Sequence, residues 1–164
     1  MEFKELIIQK VKEKFENSIE EITEFRCDLS ITIKKDKIVE LAKLLKEDDD
    51  LHFETCIDVT AIDWATRKNR FTVVYHVYSY KNNFTLRIKA NIDDDPPQID
   101  SVTSVWKSAN WYERETYDMY GIIFINHPDL RRIYMPEGFE YHPLRKDFPV
   151  LGIPGSLPLP DKIE

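Results

Sequence analysis

Apolar side chains return at helical spacing from the first residues onward. Phe3, Leu6, Ile7, Val11 and Phe15 are separated by Lys and Glu, which predicts an amphipathic helix over residues 2–16. The period then drops to two: Leu29, Ile31 and Ile33 alternate with Ser30 and Thr32, as in a half-buried strand. Ile38, Leu41, Ala42 and Leu45 restore the helical period as far as the acidic run Asp48-Asp49-Asp50, which reads as a solvated turn. Three strand-like segments come next. Cys56 to Trp64 is rich in β-branched residues, Phe71 to Tyr80 is aromatic on both faces, and Phe84 to Ala90 alternates cleanly. In the last of these, Phe84, Leu86, Ile88 and Ala90 face one way and Thr85, Arg87 and Lys89 the other. This predicts an antiparallel meander with one wet face, and His76 packed within its middle strand.

The run from Asp93 to Pro97 ends that pattern and can cap the next element. Ile99, Val102 and Trp106 predict a helix, and Trp111 to Tyr120 a second one after a short break. Helices and strands are mixed without regular strand-helix-strand repeats. The expected fold class is α+β: a two-layer sandwich of helices on a largely antiparallel or mixed sheet. Beyond Gly121 the character changes. All four glycines lie at or after 121, and seven of the nine prolines at or after 128. Proline removes backbone donors and blocks helix interiors and central strands. Leu130, Ile133, Tyr134, Phe139 and Phe148 are too apolar for a tail that stays in water. The expected division is therefore an α+β domain over 1–121 and an extended proline-rich arm over 122–164 that docks on another protein.

Composition narrows the function classes. A chain of 164 residues holds one modest core, and its 42% apolar and 12% aromatic content fits a folded protein. A net charge of −7 argues against nucleic acid or an anionic membrane surface as the main partner. The longest uncharged stretch, Phe148 to Pro160, holds four prolines, so no membrane span is expected. Charged and apolar residues alternate from Glu2 onward, unlike a signal peptide, and the chain is expected to stay where it is made. Cys27 and Cys56 are expected to be two buried or half-buried thiols, and alone they cannot hold an iron–sulfur cluster. Gly-rich nucleotide loops, HExxH and GxSxG are all absent, and the four histidines are not spaced as helical ligand pairs. Glu113 and Glu115 lie two apart on a helix and cannot share one site.

Residues 111–149 carry the densest pattern. On a helix, Tyr112, Thr116, Met119 and Tyr120 share one face, while Arg114 and Asp118 stand at i and i+4 and can pair. Glu113 falls on the aromatic side and needs a cationic or hydrogen-bonding partner, for which Arg131, Arg132, Arg145 and Lys146 are candidates. A stiff, charge-balanced aromatic strip suits a protein surface better than a small ligand.

Three runs stand out within this stretch: Glu113-Arg114-Glu115 leading to Asp118-Met119-Tyr120-Gly121-Ile122; His127-Pro128 with Leu130-Arg131-Arg132; and His142-Pro143-Leu144-Arg145-Lys146-Asp147-Phe148-Pro149. Together they resemble the signature of the 30 kDa (C) subunit family of respiratory complex I, the NADH:quinone oxidoreductase. Asp58 to Asp63, with the strand after it, extends the resemblance upstream, and the length matches the form not fused to the 49 kDa-like subunit. Asn126 and Tyr141 depart from it, each standing where glycine is usual before His-Pro.

The resemblance implies a structural subunit with no flavin or cluster, set against the 49 kDa (D) subunit in the hydrophilic arm, near the quinone site. It further implies a peripheral position on the cytoplasmic side of the inner membrane. The chain would then share NADH oxidation, quinone reduction and proton pumping only as a part. Contact with its partner is expected through Glu113, Arg114, Glu115, Asp118, Tyr120, Gly121, His127, Pro128, Leu130, Arg131, Arg132, His142, Pro143, Leu144, Arg145, Lys146, Asp147 and Pro149. The equivalent subunit of a membrane-bound hydrogenase or an F420H2 dehydrogenase is the alternative. A free-standing acid–base enzyme using Glu113, His127 or His142 would need a pocket joining them.

Overall fold

A computed structural model describes residues 2–93 and 95–153. Helix α1 (Phe3–Phe15) forms where its apolar spacing predicts, closed at its N-terminus by reciprocal bonds between Glu2 and Glu5, and buries Ile7, Val11 and Phe15. Strands β1 (Ile19–Phe25) and β2 (Asp28–Lys34) form a hairpin whose turn residues Arg26 and Cys27 both have positive φ, the hand that suits a tight hairpin. Cys27 is exposed there, contrary to expectation, while Cys56 is buried. Strand β1 has no counterpart in the sequence pattern. It is an edge strand with exposed glutamates, so little burial disciplines its side chains.

Helix α2 (Ile38–Glu47) runs into the acidic turn. That turn is more than solvated, since Lys10 of α1 bridges Asp48 and Asp50 at 2.6 Å each. Strands β3 (Thr55–Asp63), β4 (Phe71–Ser79) and β5 (Phe84–Ile92) form the antiparallel meander, and β2 joins β5 in parallel. The five-stranded order is β1-β2-β5-β4-β3, a mixed sheet within an α+β fold. Ser30 and Thr32 are buried although they point away from the Leu29, Ile31 and Ile33 face. Arg87 lies over that side, donating to Ser30 Oγ at 3.3 Å and to His76 Nε2 at 3.0 Å, while His76 faces Asp58 at 3.3 Å. His76 is thus a strand histidine held in a polar ladder.

The helix expected over Ile99 to Trp106 does not form. Gln98–Asp100 is strand β6, and the helical spacing comes from one turn, closed by Trp106 N–H donating to the Val102 carbonyl at 2.8 Å. Trp106 then enters the core and donates its indole N–H to the Phe53 carbonyl at 2.9 Å. Helix α3 (Ala109–Tyr120) leads to β7 (Ile123–Ile125), which pairs in parallel with β6. Ile122 and Phe124 belong to the hydrophobic core, so the body continues past the boundary expected at 121. The change in glycine and proline content starts just before these core residues, which makes them resemble part of the arm.

Candidate functional site

Helix α3 organises the site. Thr116 fastens it to the sheet by donating to the Val59 carbonyl at 2.9 Å. Gly121 ends it in the left-handed region at φ 73, and a Cβ there would lie 2.5 Å from His142 Nε2 and 2.7 Å from Arg145 Nη2. The glycine therefore serves both as helix cap and as the point where residues 142–145 come closest. His142 donates from Nδ1 to the Asp118 carbonyl at 3.0 Å, Arg145 donates to the Tyr120 carbonyl, and Leu144 N–H donates to the Met119 carbonyl at 3.1 Å. The open carbonyls at the end of α3 are thus satisfied by the second His-Pro run.

Asp118 has no exposed side-chain surface. Its Oδ2 accepts the N–H groups of Ile133, Tyr134 and Met135 at 3.0, 2.7 and 3.0 Å, and its Oδ1 accepts Arg132 at 2.7 Å. Burial alone would raise its pKa, but those N–H groups and the Arg132 guanidinium outweigh it and hold the carboxyl below its ordinary value. Arg114 does not pair with Asp118, contrary to the expectation from their i, i+4 spacing. It turns along the helix surface, stacks over Trp111 at 4.6 Å and donates to the Arg131 carbonyl at 3.1 Å.

A second anchor lies at the β3–β4 end. Asp63 accepts Arg70 Nε at 3.0 Å and Nη2 at 2.9 Å, and also the N–H groups of Ala65 at 2.8 Å and Lys146 at 2.7 Å. Burial pushes this carboxyl up, yet Arg70 and those N–H groups bring it down to about 2. Arg70 reaches on to Asp147 at 2.8 Å, and both Arg70 and Arg145 lie over the Phe71 ring. Residues 131–148 are thus strapped to the body at two carboxylates. Sequence reasoning misses Arg70 and Phe71 here, because neither lies in the dense stretch; Asp63 is visible only as the end of the upstream match.

Glu113 sits apart from this strap, and among the described residues its partners are hydrogen-bond donors rather than the downstream cations named as candidates. Its carboxyl accepts the Ser101 hydroxyl at 2.6 Å and the Val102 N–H at 2.8 Å. His127 Nε2 lies 4.0 Å away, and neither side chain is exposed. Asp129 N–H donates to His127 Nδ1 at 3.0 Å, so the ring proton is on Nε2, directed at the Asn110 carbonyl at 3.2 Å. Glu113 and His127 are thus enclosed, while His142 is engaged more than a turn further along α3. The three groups of that reading are therefore not brought to one place: Glu113 and His127 adjoin, and His142 lies against the end of α3.

Other motif residues face outward. Glu115 and Lys146 are exposed, Arg131 pairs with Asp129 at 3.0 Å in solvent, and Leu130 packs partly on the core. Pro128 lines an open groove with Asn110, Trp111 and Asn126; Pro149 lines another with Tyr141 and Phe148. Trp111 and Tyr134 are 63% and 62% exposed. No helix among the described residues is long and apolar enough to cross a membrane.

Residues 31–153 match the family described as respiratory-chain NADH dehydrogenase, 30 Kd subunit. The chain is 50% identical over 143 residues to the C subunit of NADH-quinone oxidoreductase from Geotalea uraniireducens, covering 87% of this chain and 86% of that protein. It is 48% identical over 144 residues to the Geobacter sulfurreducens counterpart, with 87% and 88% covered. Among solved structures, the trypsin-resistant fragment of Nqo5 superposes with a TM-score of 0.62 at 26% identity, over 76% of this chain and 99% of the fragment. A chain of an archaeal membrane-bound sulfane sulfur reductase superposes with a TM-score of 0.71 at 25% identity, over 90% and 86%.

Proposed function

The chain belongs to the 30 kDa subunit family of respiratory-chain NADH dehydrogenases, and we propose that it is a non-catalytic docking subunit in the peripheral arm of a proton-pumping NADH:quinone oxidoreductase. One observation carries this reading. Arg114, Asp118, Gly121, Arg132, His142 and Arg145 commit their contacts inside the chain and fix residues 131–148 on α3. Helix α3 presents outward Trp111, and the strap Tyr134, Tyr141 and Leu144 together with Arg131 and Lys146, the mixture of rings and cations that protein interfaces favour.

The partner on that surface is the 49 kDa subunit, near the quinone-reducing region, and the assembled enzyme holds the chain on the cytoplasmic side of the membrane. The arm beyond residue 125 is the docking element. The sulfane sulfur reductase neighbour favours a second reading, the same role in a related membrane complex. Identities of 46–50% to NADH-quinone oxidoreductase subunits, against 25% to that neighbour, support the first.

Purification of the tagged chain from mild-detergent membranes tests the reading. The expected companions are the 49 kDa subunit and the flavin- and cluster-bearing subunits, whereas the chain purified alone should show no visible chromophore. Recovery with a hydrogenase or sulfur-reducing module instead would overturn the respiratory assignment, and a stoichiometric chromophore on the isolated chain would overturn its non-catalytic role.

A further inference from the structure

Helix α3 carries two fully buried carboxyl groups that are solvated in opposite ways. Asp118 receives three backbone N–H groups and a guanidinium, enough to stabilise an anion without water. Glu113 is equally buried but receives, among the described residues, one hydroxyl and one backbone N–H. A buried carboxylate with two neutral donors and no cation is poorly stabilised.

The surrounding groups do not supply the missing charge. His127 is neutral, since its Nδ1 accepts a backbone N–H and its Nε2–H is directed at a carbonyl. From β3 and β4 come Cys56 and Tyr75, both neutral and both raised further by burial and by the proximity of Glu113. The Tyr75 hydroxyl is buried with no hydrogen-bond partner among the described residues. Asp100 of β6 adds only negative charge near Tyr75, and Arg114, the adjacent cation on α3, is turned to the Arg131 and Arg132 carbonyls.

The hydroxyls beside Glu113 can serve either protonation state. Ser101 Oγ lies 2.6 Å from Glu113 Oε2 and 2.7 Å from Thr103 Oγ1. With the carboxylate ionised, Ser101 donates to it. With the carboxyl protonated, Oε2–H donates to Ser101 Oγ, and the serine proton turns to Thr103. No heavy atom needs to move.

We propose that Glu113 is an internal proton-binding site, its proton carried in a hydroxyl relay with Ser101 and Thr103, and that losing it loosens the seam between α3 and the β6–β7 ladder. Ser101 directly follows β6 and donates its N–H to the Ile125 carbonyl at 2.9 Å, so strain at Glu113 reaches both the turn after β6 and the end of β7. Burial raises the Glu113 carboxyl to about 7, against hydrogen bonds from Ser101 and Val102 that favour the anion. The folded chain thus holds this proton more tightly than the unfolded one. Its stabilisation is full below the ordinary glutamate value and is lost as pH rises through the folded value.

The test compares the full chain with Glu113→Gln, which keeps the shape and cannot ionise. Between about pH 5.5 and about pH 8.5 the wild-type unfolding midpoint should fall relative to the variant by roughly 4–8 °C. Infrared titration should show a protonated carboxyl band lost near neutral pH in the wild type and absent from Glu113→Gln. Ser101→Ala removes a donor to the anion and should move that midpoint upward. A midpoint difference between wild type and Glu113→Gln that stays constant with pH would overturn the proposal. Should Glu113→Gln fail to fold, the wild-type and Ser101→Ala infrared titrations decide: an upward shift supports the site, and an absent or unmoved band overturns it.

Discussion

Asp63 holds three pieces of chain with one carboxylate: the β3–β4 loop through Ala65, the start of β4 through Arg70, and the end of the strap through Lys146. Both it and Asp118 are bound as anions with pKa values below those of the unfolded chain. Their stabilisation is therefore full above the ordinary aspartate value and is lost as pH falls through the folded values. For Asp63, brought down to about 2, this is worth about 2 kcal/mol, lost progressively below about pH 4. Acid unfolding followed by circular dichroism should therefore weaken the strap before the sheet. Asp118→Asn, which leaves Arg132 without its counter-charge, should cost about 3 kcal/mol in urea unfolding. A loss under about 0.5 kcal/mol would show that the 133–135 turn forms without the charge.

Elements and strap obey different rules. Each helix and strand up to β7 contributes side chains to one core, but residues 131–148 are held mainly by hydrogen bonds to α3 and β3, with Phe139 tucked beneath. A chain ending at Asn126 keeps Ile122, Phe124 and β7 and should fold, with a lower midpoint because Asp118 loses its donors. It should no longer bind the partner subunit. In the full free chain, trypsin should cut at exposed Arg131 and Lys146 ahead of the body, and assembly should protect both. If the shortened chain is unfolded by circular dichroism, or the free strap resists trypsin as well as the body does, the strap is part of the core.

The whole molecule is acidic, at −7, whereas residues 128–149 carry four basic and four acidic side chains, so the proposed docking strip is charge-balanced on a negative molecule. The two neighbouring arginines separate folding from docking. Arg131 pairs with Asp129 in solvent, whereas Arg132 closes the Asp118 cradle. Arg131→Glu should leave the unfolding free energy within about 0.5 kcal/mol of wild type and lower recovery with the 49 kDa subunit. Arg132→Glu should lower both. Equal recovery for Arg131→Glu and wild type would place the interface elsewhere.

Periodicity alone determined α1, α2, α3, the meander and the α+β class, because burial on one face leaves a repeat of 3.6 or 2 in the sequence. The motif runs were sufficient to place the chain in its family. Tertiary structure decided the rest. Edge strand β1 buries too little to leave a pattern, and the single turn at Val102–Trp106 imitates a helix because one turn shares its spacing. The pairing of Arg114 with backbone carbonyls rather than Asp118, and of Glu113 with Ser101 rather than an arginine, was illegible for a common reason. Each partner is brought up by chain folding back from a distance, and local spacing records only which side chains share a helix face, not the groups packed against them.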